Sequence, residues 1–321
     1  MKVFTLNKTN LNEVEQLPFK LEEDIQNLVE VNTESVFNLK FIKSELSVDK
    51  YRIDTLCFDE ENNSFVIIEY KKGSSYSVID QGYTYLQLLL NNKSDFLLVL
   101  SQHFNKVLKI EDVDWSESRI VFISPVFNSY QKDSVNFKNL PFELWEIKRY
   151  SNNTVVLNQH RSNSKVSIDT LNPNTTNSVI SMVTKEVKIY TAEQHYSKTT
   201  KKIIDKWDEL QKRLLDFDDV DIIPKKQYIS LIHNHSGKTI CYFNYLKRGI
   251  NIDFQRGNIN TDGSKSKNYF NLDDPKGIAK SNTWSWKNGT QGSTYRVFFN
   301  EKSDIDYFMF LIKQKYDNLS I

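Results

Sequence analysis

The sequence predicts an α/β protein of two domains, the first a mixed β-sheet flanked by helices and the second a smaller α+β domain. Three observations predict it. The chain has 321 residues, enough for two domains that each bury a core. Strand-like apolar runs alternate with stripes at helical spacing through residues 20–160. A polar stretch over 161–187 then separates this pattern from a second one.

Residues 20–40 read as an amphipathic helix. Leu21, Ile25, Leu28 and Val29 recur at helical spacing, and Glu22, Gln26 and Glu30 share another face; Glu30 reads as surface. Residues 51–58 and 64–71 flank the turn-rich segment 59–63 and read as a hairpin. A polar break at 73–77 precedes a helix over 78–90, striped by Ile79, Tyr83, Leu86 and Leu90. Residues 96–100 and 119–127 are expected strands with a helix near 103–110 between them, and 142–148 with 154–158 a closing pair of strands. The domain spans 1–160, the linker 161–187 and the second domain 188–321. In the latter, a helix over 199–215 carries Ile203, Ile204, Trp207, Leu210 and Leu214. Strands are expected at 228–232, 239–246, 250–254 and 295–300, a polar stretch with Trp284 and Trp286 at 257–290, and a last helix at 303–316.

Composition sets the environment. With 39% hydrophobic and 26% charged residues the chain reads as soluble and globular, and no run approaches the roughly 20 apolar residues that cross a bilayer. The first ten residues, MKVFTLNKTN, lack the apolar core of a secretion signal. Only Cys57 and Cys241 are present, both in strand-like sequence, which excludes a disulfide framework or a cysteine metal cage. The expected location is the cytoplasm. Residues 1–160 hold 17 Lys and Arg against 23 Asp and Glu, whereas 161–321 hold 25 against 18. The acidic half suits a cation site and the basic half suits a polyanion.

The chemistry-bearing residues sit on the expected hairpin. Side chains alternate across a strand, so Glu69 and Lys71 share a face and Tyr70 turns away. Pairing around the turn brings Asp54 towards Glu69. The run of Phe65, Val66, Ile67 and Ile68 reads as a buried strand, yet it continues into Glu69, Tyr70, Lys71 and Lys72, as a strand does where a sheet opens onto a site. Two close carboxylates raise each other's proton affinity unless a cation intervenes. Mg²⁺, with its preference for hard oxygen ligands, is the natural one. A metal held there can activate water for attack on a phosphodiester, with Lys71 beside the developing negative charge.

Arg52-Ile-Asp54, fifteen residues before Glu69-Tyr-Lys71, resembles the Asp…Glu-X-Lys core of the PD-(D/E)XK nucleases. Gln81-Gly-Tyr-Thr-Tyr85 resembles the glutamine–tyrosine helix of the RecB-like and NucS-like branches, Glu22 their first-helix glutamate, and residues 142–148 the closing strand of NucS-like relatives. Ile53 stands where the family's proline is usual. The resemblance covers about residues 20–150 and implies a restriction-endonuclease-like fold. It implies Mg²⁺ or Mn²⁺ held by Asp54 and Glu69 with help from Glu22, Lys71 as the transition-state cation, and Gln81 and Tyr85 orienting the site. The expected activity is an endonuclease acting on DNA in preference to RNA, in restriction, phage defence or repair; a homodimer is compatible with it. The rival expectation is a non-catalytic scaffold that binds nucleic acid or protein. A third is a signalling protein whose second domain gates the first.

Other signals carry less. Ser236-Gly-Lys-Thr239 lacks the earlier glycine of a phosphate-binding loop, since position 232 is Ile232. His233 and His235 have no third ligand nearby in sequence. Residues 188–321 resemble an uncharacterised domain common in proteins labelled predicted transport proteins, a label that no membrane segment supports. Lys225, Lys226, Lys247, Arg248, Lys265, Lys267, Lys287 and Arg296 interleave there with Tyr242, Tyr245, Trp284 and Trp286, a mixture able to grip phosphates and stack on bases. A recognition or regulatory module is the expectation.

Overall fold

The computed structural model describes residues 2–72, 78–135, 140–160, 183, 186–188, 190–234, 236–266, 269–285 and 291–319. The chain divides into two compact units, Met1–Ile189 and Tyr190–Ile321. The expected break at 73–77, nearly all of the expected linker, and His235, Lys267, Trp286 and Lys287 lie outside the described residues. Val183 and Val187, from the stretch read as linker, are buried in the core of the first unit.

The first unit opens with the strands β1 (Phe4–Asn7) and β2 (Asn10–Glu13), paired with each other, and β3 (Gln16–Leu17). Then follow α1 (Glu22–Glu30), α2 (Thr33–Phe37), β4 (Lys40–Val48), β5 (Tyr51–Asp59), β6 (Ser64–Tyr70), α3 (Val78–Asn91), α4 (Lys93–His103), β7 (Arg119–Ser124), α5 (Ser129–Ser134), β8 (Phe142–Tyr150) and β9 (Val155–His160). The main sheet runs β3-β8-β7-β6-β5-β4, with β9 also paired to β8. It is mixed: β6–β7 and β7–β8 are parallel and the other pairs antiparallel.

Helices cover both faces, so β6 is buried along its whole length. On one face Phe65, Ile67, Phe122 and Leu144 pack with Leu86 and Leu89 of α3 and Phe96 of α4. On the other, Val66, Ile68, Tyr70 and Val121 pack with Ile25 and Val29 of α1. Gly82 lets α3 lie close to the sheet, because a Cβ there would meet the Phe142 ring at 2.6 Å.

Three expectations need correction. The helix read over 20–40 is two short ones. Asp24 caps the first by accepting the Leu21 N–H (2.9 Å). The second ends at Asn38 in a left-handed conformation (φ 54°), and β4 follows. Residues 96–100 are not a strand but lie inside α4, where Phe96, Leu97 and Leu100 face the core and Leu98 is 57% exposed. A five-residue apolar run does not distinguish the two states by period alone. No regular helix occupies 103–110; α4 ends there, and a single 3-10 turn forms at Ile110–Asp112.

The second unit comprises α6 (Ala192–Tyr196), α7 (Lys201–Leu214), β10 (Val220–Pro224), β11 (Ile229–His233), β12 (Lys238–Leu246), β13 (Gly249–Ile259), β14 (Lys280–Ser285), β15 (Gln291–Phe299) and α8 (Ile305–Leu319). Its strands form one antiparallel sheet ordered β10-β11-β12-β13-β15-β14. Trp207 and Leu210 of α7 and Phe308 and Leu311 of α8 share a core with Phe243, Ile252, Phe254 and Val297 of the sheet. The strands β10 and β14 were not expected from the sequence. Among the described residues no helix is long and apolar enough to cross a membrane.

Candidate active site

The strands β5 and β6 pair from Asp59↔Ser64 to Thr55↔Ile68, and their ladder stops there. One residue further along each strand stand Asp54 and Glu69. The Tyr70 N–H donates to Asp54 Oδ2 (3.0 Å), so the acid of β5 is tied to the backbone of β6. Beyond it, the Lys71 N–H donates to Ile123 O (2.9 Å), extending the contact with β7.

Glu69 is buried and its two oxygens differ. Oε1 accepts from Lys71 Nζ (3.0 Å), Gln81 Nε2 (2.9 Å) and the Tyr85 hydroxyl (3.2 Å). Oε2 is buried without a hydrogen-bond partner. Gln81 and Tyr85 come from α3 one turn apart, and Gln81 Nε2 also donates to the Tyr85 hydroxyl (3.2 Å). The expected alternation holds: Tyr70 lies in the opposite core, where its hydroxyl meets Thr55 Oγ1 at 3.1 Å. Asp54, Glu69, Lys71, Gln81 and Tyr85 are thus brought together at one end of the central strands.

Electrostatics follow from this crowding. Burial, then the Asp54 charge, push the Glu69 carboxyl up to about 7, against the pull of Lys71 and Tyr85. Burial also raises Asp54; the Tyr70 N–H and Lys71 oppose it and Glu22 adds to it. Desolvation and the Glu69 charge raise the Tyr85 phenol, which therefore stays a neutral donor.

Glu22 stands at the rim. It is exposed, and its Oε1 accepts the Lys72 N–H (2.6 Å). Among the described residues no group of three or more His, Cys, Asp or Glu is gathered as a metal cage, so Glu22 is not assembled with Asp54 and Glu69 into a three-carboxylate cluster. The pair alone suits Mg²⁺, which takes one or two carboxylates and keeps several waters. Glu69 Oε2, a buried acceptor without a donor, is the atom that such an ion would satisfy.

The support behind Asp54 comes from residues outside the site expected from the sequence. Gln26 Nε2 of α1 donates to the Asp54 carbonyl (3.1 Å). Glu30, read as surface, accepts from Thr55 Oγ1 (2.6 Å). The signal was present in the shared spacing of Glu22, Gln26 and Glu30; that face of α1 meets β5 and the start of the chain after β6.

No family model matches the chain. A protein of Haemophilus influenzae, described as uncharacterized, is 38% identical over 319 residues, covering 98% of this chain and 99% of its own length. The chain belongs to the family of that protein. The match extends over the sequence of both units of this chain. Two solved structures overlap it in part. A repair endonuclease from Pyrococcus abyssi is 15% identical, with a TM-score of 0.26, over 41% of this chain and 49% of that one. EndoMS in complex with double-stranded DNA is 17% identical, with a TM-score of 0.25, over 41% of this chain and 47% of that one. The chain spans about half the length of each.

Proposed function

We propose that the N-terminal unit hydrolyses phosphodiester bonds in DNA as an endonuclease, using Mg²⁺ or Mn²⁺ held by Asp54 and Glu69. The observation that carries the reading is the asymmetry of Glu69: three donors fix Oε1, while Oε2 is buried and has none. Lys71 offsets one negative charge of this buried carboxylate pair, and the charge that is left is costly unless a further cation meets it. When bound, the cation supplies Lewis acidity and a water of lowered pKa.

The chain's own residues do the rest. Lys71, 3.0 Å from Glu69, sets a positive charge next to the acids, where it orients the attacking water and offsets charge that develops on phosphate oxygens. Gln81 and Tyr85 fix the rotamer of Glu69 from a rigid helix. The Tyr70 N–H holds Asp54, and Gln26 holds its carbonyl. Glu22 contributes from the rim as a charge near Asp54 rather than as a close partner of both acids.

The test is incubation of the wild-type chain and Glu69→Gln with supercoiled, single-stranded, mismatched and branched DNA, in Mg²⁺, Mn²⁺ or chelator. Cleavage by wild type alone, abolished by chelator, is expected. Equal products from both proteins would assign the activity to another site.

A further inference from the structure

Among its described residues, the second unit holds a largely buried lysine without an ionic partner. Lys315 of α8 is only 5% exposed. Among the described residues it pairs with no carboxylate and donates no hydrogen bond; its Nζ lies 4.8 Å from the centre of the Phe270 ring. A ring face attracts an ammonium, but by less than the cost of removing that ammonium from water. Lys238, at the start of β12, is near enough for its charge to act on Lys315, and it too has no carboxylate partner among the described residues. Burial, then Lys238, hold the Lys315 amine down at about 8, so it remains mostly protonated at neutral pH.

The same end of the sheet gathers further positive charge. Arg256 of β13 is packed between the rings of Tyr295 (4.2 Å) and Tyr269 (4.9 Å). Its hydrogen bonds go to neutral groups: Ser281 Oγ, Asn271 Oδ1 and Phe270 O. Lys265 lies 4.7 Å from the Tyr269 ring. Phe270, edge-on to Tyr295, joins this cation–aromatic stack to Lys315. A backbone bulge at Gln255–Gly257, with Gly257 at φ +108°, interrupts the strand register beside Arg256. Ser293, the register partner of Gly257, has a buried Oγ without a hydrogen-bond partner. Unpaired cations and an orphan hydroxyl at one sheet end are the complement of an anion with several acceptor oxygens.

We propose that this end of the C-terminal sheet binds a phosphate group, with Lys315 and Lys238 as its paired cations and Arg256 on its rim. The site belongs to the second unit and does not depend on the nuclease reading of the first. Phosphate of this kind comes either from a small molecule or from a nucleic-acid backbone, and both display the same oxygens.

The experiment is calorimetric titration and thermal denaturation of the full chain at low ionic strength in chelator. The probes are inorganic phosphate, deoxyadenosine monophosphate and a short oligothymidylate, with chloride at matched ionic strength as the control. The Asp54→Asn background keeps the oligonucleotide intact and separates this result from the fate of the nuclease reading. At least one phosphate-bearing probe is expected to bind and raise Tm, with affinity falling roughly tenfold or more in Lys315→Met, a neutral side chain of similar length. Binding of the small probes identifies a small-molecule site; binding of the oligothymidylate alone identifies backbone phosphates. If Lys315→Met does not fold, Lys238→Gln, at a half-buried position, carries the comparison. No binding of any probe, or wild-type affinity in the folded variants, overturns the proposal.

Discussion

The Asp54 carboxylate accepts the backbone N–H of Tyr70 at 3.0 Å, across the point where the β5–β6 ladder ends. One acid of the pair is therefore part of the sheet's own hydrogen bonding. Asp54→Ala leaves the N–H of the buried Tyr70 without its acceptor and should cost about 1–3 kcal/mol. Asp54→Asn can keep that bond through its amide oxygen and should cost less, while both lose cleavage. Chemical denaturation of the two variants in chelator checks the ranking; equal stability would mean that the bond contributes nothing.

Glu69 predicts a pH dependence. Its folded-state value, about 7, lies above its ordinary 4.5, so the folded chain binds this proton more tightly than the unfolded one. The associated stability is full below pH 4.5 and is lost as pH rises through about 7. The loss is on the order of 1–3 kcal/mol in the absence of metal, and Asp54, also raised, acts in the same direction. Glu69→Gln should flatten the profile over this window, measured by denaturant midpoints in chelator between pH 5 and 8. An unchanged slope would place the titration elsewhere.

Gly82 sets two effects against each other. Alanine gains about 1 kcal/mol of helix propensity, but its Cβ would meet Phe142 ring atoms at 2.6 and 2.9 Å. That ring is packed on Tyr83 and Phe122 and has little freedom to move, so overpacking by about 1–3 kcal/mol should win. Gly82→Ala is expected to lower Tm. It should also lower cleavage by lifting Gln81 and Tyr85 from Glu69. A more stable variant with full activity would show that α3 has slack.

Metal should stabilise the fold. A cation that binds only the folded chain adds about 2.7 kcal/mol at a hundredfold excess over Kd. Differential scanning calorimetry with Mg²⁺ or Mn²⁺ should raise Tm of the wild type and leave the double variant Asp54→Asn, Glu69→Gln unmoved. The same shift in both proteins would remove these acids from the metal site.

The site was more legible than the frame around it. Period-two alternation and an obvious turn placed Glu69 and Lys71 on one face and Tyr70 on the other, and i, i+4 spacing paired Gln81 with Tyr85. These are local rules, and tertiary packing did not override them. By contrast, β4 carries Lys40, Lys43, Ser44, Glu45 and Ser47 on an edge strand with a shifted register, which blurs alternation and leaves residues 41–50 without a readable element in the sequence. The apolar run at 96–100 suits strand and helix alike, because hydrophobicity without period does not choose between them. Gln26 and Glu30 stayed out of the expected site because polar helix residues signal solvent as readily as a neighbouring strand. Only the packing of α1 against β5 decides between the two.

The most direct test of the central claim is cleavage of labelled duplex DNA by wild type and Asp54→Asn across a Mn²⁺ titration. Asp54→Asn changes the charge on one acid and little else. Saturable, Mn²⁺-dependent cleavage by the wild type is expected, with a rate lower by on the order of 10³-fold in the variant. A folded variant that cuts at the wild-type rate, or wild-type cleavage that persists in chelator, would contradict it.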